Sequence, residues 1–238
     1  MSAFAESFQT AAHLILHADA VLIHTVALSL SVSASATLIA TGMGLVFGAW
    51  MAVAHFPGHR QLTLLVNTLL ALPAVVVGLV VYLLLSRSGP LGAWGILFTP
   101  SAMVIAQTVL VLPIIAALTR QLVADALRDG GDQLSSMGAR PLSCALLMLV
   151  HDRWAVLTVV IAAFGRAIAE VGAVMIVGGN IDGFTRVMTT TIALETSKGD
   201  LPLAMALGIV LLLVVAVVNA LIGLVRRGGQ GSAMAGVR

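Results

Sequence analysis

The chain has 238 residues, of which 60% are hydrophobic and only 9% are charged, and its formal net charge is +2. An ordinary globular domain carries about 25% charged residues, so this composition excludes a soluble globular protein, and the small net charge gives no indication of nucleic-acid binding. The apolar residues form blocks long enough to cross a bilayer, which predicts an all-α polytopic membrane protein.

Five apolar stretches reach the length that a membrane-spanning helix requires, about 20 residues for a ~30 Å hydrocarbon core. They cover approximately residues 25–54, 62–85, 101–118, 155–177 and 201–225. Ahead of them, the first 20 residues predict either an amphipathic helix on the outer membrane surface or a frayed terminus. Within them, Gly42, Gly44 and Gly48 predict close packing against another helix. Pro73 and Pro113 each remove a backbone donor and can kink a helix.

The loops between the stretches carry most of the basic residues. If the N-terminus lies outside, eight Lys and Arg residues fall on the cytoplasmic side and three fall outside. Because cytoplasmic loops carry an excess of Lys and Arg, the sequence predicts five spans with the N-terminus outside and the C-terminus inside.

The segment 120–154 is predicted to be a cytoplasmic helical hairpin. Gly138 stands where a left-handed glycine ends a helix, and Pro141 stands where a first-turn proline opens the next one. Apolar side chains remain along the hairpin. They either contact a partner protein or pack only on the chain's own spans.

Two opposite charges fall inside the stretch 155–177. Arg166 and Glu170 are one helical turn apart and can pair, whereas a lone Arg at this depth costs roughly 2.5–3.5 kcal/mol. Three roles remain open: an arginine that attracts an anion in a translocation path, a structural ion pair, and a gate that exchanges partners. The cancelled charge favours the structural pair.

Three neutral polar side chains also lie near or within the stretches. Asn67 and Gln107 either hydrogen-bond between helices or line a path. Asn180 is predicted at the outer mouth of the fourth span.

Several runs carry a family resemblance. Residues 132–139, Asp-Gln-Leu-Ser-Ser-Met-Gly-Ala, are similar to the "EAA" loop of ABC importer permeases. Residues 164–173, followed by Gly-Gly-Asn at 178–180, resemble the permeases for tetrahedral oxyanions. Residues 67–73 and 189–196 are similar to the tungstate branch. The resemblance covers nearly the whole chain.

The resemblance implies the transmembrane fold of a type I ABC importer, working as a homodimer in a bacterial or archaeal cytoplasmic (inner) membrane. Its partners would be two cytoplasmic ATPase subunits and one extracytoplasmic oxyanion-binding protein. The implied substrate is tungstate, with molybdate or sulfate as alternatives. The implied ATPase-coupling residues are Asp132, Gln133, Leu134, Ser135, Ser136, Met137, Gly138 and Ala139. The candidate residues of the path or gate are Asn67, Gln107, Arg166, Glu170 and Asn180.

The sequence contains no G-x-x-x-x-G-K-[ST] motif, so we expect ATP hydrolysis to come from a partner. We also expect no cofactor, no metal site and no catalytic residue in this chain. The alternative from another class is a membrane scaffold or sensor without transport activity. That alternative leaves Arg166 and Glu170 unexplained.

Overall fold

The computed structural model describes residues 3–17, 20–136 and 138–235, and the side chains of 7–17, 20–128, 136 and 138–223 among them. The described chain contains ten α-helices and one short 3₁₀ turn at Gly92–Trp94. The helices are α1 Ala3–Leu16, α2 Ala20–Val53, α3 His59–Leu69, α4 Ala74–Leu85, α5 Pro100–Ser136, α6 Pro141–His151, α7 Arg153–Ile168, α8 Gly172–Gly178, α9 Met188–Lys198 and α10 Leu201–Ala235.

Three helices are long and apolar enough to cross a membrane alone: α2, α5 over Pro100–Arg128 and α10 over Leu201–Gly223. Two further pairs meet the same criteria together but are sharply bent, α3 with α4 by 101° and α6 with α7 by 80°. By length and composition, the described residues therefore hold three to five candidate spans. This range agrees with a polytopic membrane protein.

The stretch 62–85 is divided between α3 and α4. Pro73 stands at the N-cap of α4 in an extended conformation, with φ −66° and ψ 124°. Proline has no N–H and disfavours helical geometry in the residue before it, so the kink predicted at Pro73 is confirmed. At Pro113, in contrast, α5 continues without a break.

Residues Ser29–Thr185 form one compact unit, in which α2 and α5 run side by side in the same direction. The Thr108 hydroxyl approaches the Ala36 carbonyl at 3.4 Å, and twelve residues further along α2, Gly48 lies against Ala116. Because α2 and α5 are parallel, the chain that connects them must run back along the length of the two helices.

The bent pair α3–α4 makes this return. Val66 of α3 packs with Ala116, in the second half of α5. Tyr82 of α4 contacts the Phe98 ring, just before α5 begins. The pair therefore runs antiparallel to α5 and lies along most of the apolar part of α5. This is the arrangement expected of one membrane span that is broken into two helices.

Helices α7 and α8 also run antiparallel to α5. Val159 and Ala163 share a core cluster with Ile115, and further on the Val177 carbonyl accepts the Phe98 N–H at 2.9 Å. The stretch 155–177 is therefore two helices and not one, because α7 ends at Ile168 and α8 begins at Gly172.

The predicted close packing of α2 is confirmed at two of three glycines. A Cβ on Gly44 would lie 2.9 Å from Ile115 Cβ, and one on Gly48 would lie 2.5 Å from the Ala116 carbonyl oxygen. Nothing lies within 4 Å of the same position on Gly42. Only hydrogen fits at the two closer positions, which lets the two backbones approach each other.

The turn of the predicted hairpin is confirmed. Gly138 has φ +79°, and Pro141 opens α6. The first arm is not a separate helix, since α5 runs unbroken from Pro100 to Ser136. No proline interrupts residues 114–136, so nothing in the sequence ends the helix at the membrane surface.

The second unit comprises Met1–Leu28 with Arg186–Arg238. Its helix α1 confirms the helix predicted near the N-terminus, and Ala11 packs in a core cluster with Leu207 and Val210 of α10. Whether α1 lies on the outer membrane surface stays a prediction.

Candidate functional site

The predicted pair of charges is present at the end of α7. Arg166 Nη1 donates to Glu170 Oε2 at 2.6 Å, and the two side chains are 40% and 4% exposed, respectively. The carboxylate is therefore buried, while two-fifths of the Arg166 side chain remains accessible. An arginine in this position is partly neutralised but not enclosed.

The same carboxylate also holds the start of α8. Glu170 Oε1 accepts the Ala173 N–H at 3.2 Å, which satisfies one of the N–H groups that lack a partner in the first turn of a helix. This second contact was not predicted from the sequence. Its signal is an acidic side chain three residues before Ala173, the spacing at which an N-cap side chain accepts a backbone N–H.

Gln107 approaches the same break from α5. Its Nε2 donates to the Ala167 carbonyl at 2.9 Å, in the last turn of α7, and the same carbonyl accepts the Glu170 N–H at 3.2 Å. Gln107 is 3% exposed, and its Oε1 is buried without a partner in the described part of the chain. The structure therefore brings Gln107, Arg166 and Glu170 together around one interruption of a helix.

Asn67 lies elsewhere, in a cavity of about 700 Å³. Its lining residues are His59, Arg60, Gln61, Thr63, Leu64, Asn67 and Arg120. Arg60 and Arg120 are two of the eight basic residues predicted on the cytoplasmic side. The two arginines are 60 positions apart, and their meeting results from the packing of α3 on α5.

Asn180 lies near Phe98, at the end of the unit Ser29–Thr185 where α5 begins. It follows Gly179 in a left-handed conformation with φ +50°, and its Oδ1 is buried without a partner among the described residues. Phe98 also has a positive φ, +61°. The five predicted path residues thus fall into three places: Asn67 in the cavity, three side chains at the α7–α8 break, and Asn180 beyond α8.

The predicted ATPase-coupling run is only partly described. Met137 lies outside the described residues, and so do the side chains of Asp132, Gln133, Leu134 and Ser135. Ser136 and Gly138 are exposed. The Ala139 carbonyl accepts the Cys144 thiol at 3.7 Å.

Helix α6 has one buried and one exposed apolar face. Ala145 and Leu149 pack against Ala49 and Val123. On the neighbouring face, large apolar side chains remain exposed at helical spacing: Leu142 40%, Leu146 41% and Val150 69%. The predicted surplus of apolar side chains is therefore present.

No group of His, Cys, Asp or Glu side chains that could hold a metal ion occurs among the described residues.

Comparisons with known proteins bear on the whole chain. No family model matches it. It is 42% identical to a probable anion ABC transporter permease protein of Haloferax volcanii over 84% of this chain and 88% of the relative. It is 40% identical to the tungstate uptake system permease protein TupB of Peptoclostridium acidaminophilum, over 93% and 97% of the two chains. The TupB of Campylobacter jejuni is 37% identical over 90% of each chain.

Proposed function

The chain belongs to the permease proteins of anion ABC transporters, and from this premise we propose that it forms the membrane pathway of an ATP-driven tungstate importer. The observation that carries the substrate is the 40% and 37% identity, over nine-tenths of the chain or more, to two permeases named for tungstate uptake. A scaffold or sensor without transport activity has no comparable support. An ABC permease works with an ATPase and a binding protein, so the energy for transport comes from a partner subunit.

The distribution of arginines in the unit Ser29–Thr185 supports the proposed orientation. Arg87 lies at the end of the unit near Phe98 and the start of α5. The opposite end holds Arg60, Arg120, Arg128, Arg140 and Arg153. The excess of five arginines against one supports a cytoplasmic location for this second end. The N-terminus is then outside and the C-terminus inside a cytoplasmic (inner) membrane.

The exposure of Arg166 supports a homodimer. Gln107, beside the α7 end, is seven residues into α5, about 10 Å from its start at 1.5 Å per residue. Ionisable side chains at membrane depth almost always face protein or a water-filled cavity and not lipid. A second copy that covers this face would enclose the partly exposed Arg166 side chain, and the path would then lie between the two copies.

Within this path, the contacts favour a positioning role for Glu170. Both of its oxygens are engaged, one by Arg166 and one by Ala173, and the side chain is 4% exposed. Arg166, whose guanidinium is accessible, is the member of the pair that can meet the passing anion or exchange partners as a gate.

The exposed face of α6 supports a site for the ATPase. Leu142, Leu146 and Val150 form a row at intervals of four residues, and the glycine turn of Gly138 holds α6 at the proposed cytoplasmic end. Amphipathic helices commonly bind partners by laying such a row into an apolar groove. The residues 132–139, next to this row, would complete the contact.

The test is tungstate uptake by vesicles that contain the permease and its ATPase. Vesicles loaded with ATP and supplied outside with the tungstate-binding protein are expected to accumulate tungstate. The same vesicles loaded with ADP are the control. Accumulation of sulfate or molybdate but not tungstate under these conditions would overturn the proposed substrate.

A second arm of this experiment locates the selectivity. We expect the preference to follow the binding protein when proteins of different specificity are exchanged, because the polar groups near the path, Asn67, Gln107 and Asn180, are neutral and discriminate poorly between tetrahedral dianions. A preference that stays with the permease contradicts this expectation.

A further inference from the structure

The cavity of about 700 Å³ that contains Asn67 lies apart from the Arg166 and Glu170 pair. The first two and a half turns of α3 supply one wall, and Arg120 of α5 supplies the other. Its volume is in the range of small-molecule sites, about 300–1,000 Å³. Apart from Asn67, the residues that line this cavity at the proposed cytoplasmic end have no role in the function described above.

The lining is cationic. It contains Arg60 and Arg120 but neither Asp nor Glu. Within the part of the chain that the structure describes, no carboxylate pairs with either guanidinium. Two arginines that face one cavity without a counter-ion repel each other, and an anion between them relieves this repulsion.

Arg120 adds a more specific observation. Its Nε is buried and has no hydrogen-bond partner in the described structure. A buried donor to which nothing is bonded carries a desolvation penalty, and arginine donors are arranged in a fork that matches carboxylate and phosphate oxygens. The site therefore lacks an acceptor at Arg120.

The other polar side chains of the cavity limit the class of ligand that it can bind. The Thr63 hydroxyl already donates to the His59 carbonyl at 3.0 Å, and His59 Nε2 is 2.9 Å from the Met51 carbonyl. Asn67 is exposed in the cavity, and its side-chain amide makes no hydrogen bond within the described part of the chain. Two guanidinium groups and one amide N–H₂ group supply the cavity with hydrogen-bond donors and positive charge. They match a ligand that carries several acceptor oxygens and a negative charge.

We propose that this cavity binds a tetrahedral oxyanion group through Arg60, Arg120 and Asn67. Two sources can supply this chemistry: a free oxyanion on the cytoplasmic side, or the phosphate of an anionic lipid headgroup. The first source, as an exit or product-side site, rests on the proposed function; the second does not. The exposed Leu64 in the lining suits the acyl chain that accompanies a headgroup.

The binding test uses the full-length permease in nanodiscs of phosphatidylcholine, without ATP, ATPase or binding protein, and sodium tungstate as the probe. We expect Arg60→Gln, Arg120→Gln and Asn67→Asp each to weaken tungstate binding at least about tenfold, as the loss of a charge-assisted hydrogen bond does. Asn67→Asp keeps the shape of the side chain and adds a carboxylate. Because Arg60 and Asn67 are exposed, these two variants leave the core intact. The matched control is Arg87→Gln, an exposed arginine outside the cavity.

The lipid arm replaces part of the phosphatidylcholine by phosphatidylglycerol and measures the thermal midpoint. A rise in the wild-type midpoint that Arg60→Gln and Asn67→Asp abolish and Arg87→Gln retains assigns the site to a lipid phosphate. Tungstate binding with the same pattern of variants assigns it to a free oxyanion. If neither effect depends on Arg60, Arg120 or Asn67, or if Arg87→Gln has an equal effect, the proposed site is wrong. Because no transport is measured, a failure of tungstate uptake leaves this result unaffected.

Discussion

Arg166 and Glu170 are joined by a 2.6 Å hydrogen bond at the point where α7 ends. The other oxygen of Glu170 accepts the Ala173 N–H, so one carboxylate connects the last turn of α7 to the first turn of α8. The interruption between the two helices is stabilised by Glu170, a side chain that lies within it. Gln107, bonded to Ala167, closes it from α5.

This arrangement predicts a strong coupling between the two charges. Glu170→Gln is expected to lower the free energy of unfolding by about 2–3 kcal/mol. That is below the 3–5 kcal/mol for breaking a fully buried pair, because the Arg166 side chain is 40% exposed. Arg166→Gln should cost about as much, and the double variant should recover part of the loss. The thermal midpoint can be followed with a thiol-reactive fluorophore that reports on Cys144, the single cysteine of the chain, which is buried.

The matched control for this cycle is the pair Asp125 and Arg128. These side chains lie 3.3 Å apart and are 57% and 79% exposed, so their removal should change stability by about 1 kcal/mol or less. Strictly additive losses at Arg166 and Glu170 would contradict the coupling and return Arg166 to the role of an independent anion attractor.

A second prediction concerns the contact of α2 with α5. Gly48→Ala should destabilise the protein by about 1–3 kcal/mol, the usual cost of overpacking. The new Cβ would lie 2.5 Å from the Ala116 carbonyl oxygen and 2.8 Å from Thr119 Cβ.

Gly42→Ala, in the same helix, is the control for Gly48→Ala. Its Cβ meets nothing within 4 Å, so the higher helix propensity of alanine should leave stability unchanged or raise it by up to about 1 kcal/mol. The thermal midpoints of the two variants show whether the loss of stability is specific to Gly48→Ala. Equal effects at both glycines would mean that close approach is not what Gly48 supplies.

Some features of the molecule follow directly from local sequence. The apolar stretches locate the long helices, Pro73 marks the bend between α3 and α4, and Gly138 and Pro141 mark the turn before α6. Each of these depends on the geometry of one residue or on composition over about 20 residues. The ion pair was also predictable, because its members are four residues apart.

Other features depend on residues that are distant in the sequence. The break after Ile168 contains no proline, and it is stabilised by Gln107 from another helix and by the capping contact of Glu170. The cavity needs Arg60 and Arg120 at one place, which only the packing of α3 on α5 provides. Apolar periodicity contains no information on either contact. It therefore predicted one continuous helix over residues 155–177 and placed Arg120 at the start of the cytoplasmic hairpin.

A third prediction tests the proposed contact with the ATPase. Gly138→Val should reduce co-purification of the ATPase, because a β-branched residue at φ +79° distorts a turn at a cost of roughly 1–2 kcal/mol. Among the described residues nothing lies within 4 Å of the new Cβ, so we expect the effect to come from the backbone conformation. Membrane insertion should remain normal.

Gly199→Val is the matched control for that variant. Gly199 has φ +86° and equally open surroundings, but it ends α9, on the proposed outer side. It should impose the same backbone strain without affecting ATPase binding. Undiminished co-purification with Gly138→Val would remove the support for residues 132–139 as the contact.

The last prediction concerns orientation, and its test needs exposed positions at the two ends of the unit Ser29–Thr185. Ser7 is 2% exposed, so a cysteine there would react poorly on either side. Ser88 and Ser143 are both exposed, and serine to cysteine is a nearly isosteric change. Ser88 follows α4 at the end of the unit near Phe98. Ser143 lies in α6 at the opposite end, which holds five arginines.

In intact cells, Ser88→Cys should therefore react with a membrane-impermeant thiol reagent, and Ser143→Cys should react only after the membrane is opened. The wild-type chain supplies the background, because its only cysteine, Cys144, is buried. If Ser143→Cys reacts in intact cells and Ser88→Cys does not, the chain is inverted. The cavity of Arg60 and Arg120 would then face outward, where it could receive an anion from the binding protein but could not serve as an exit.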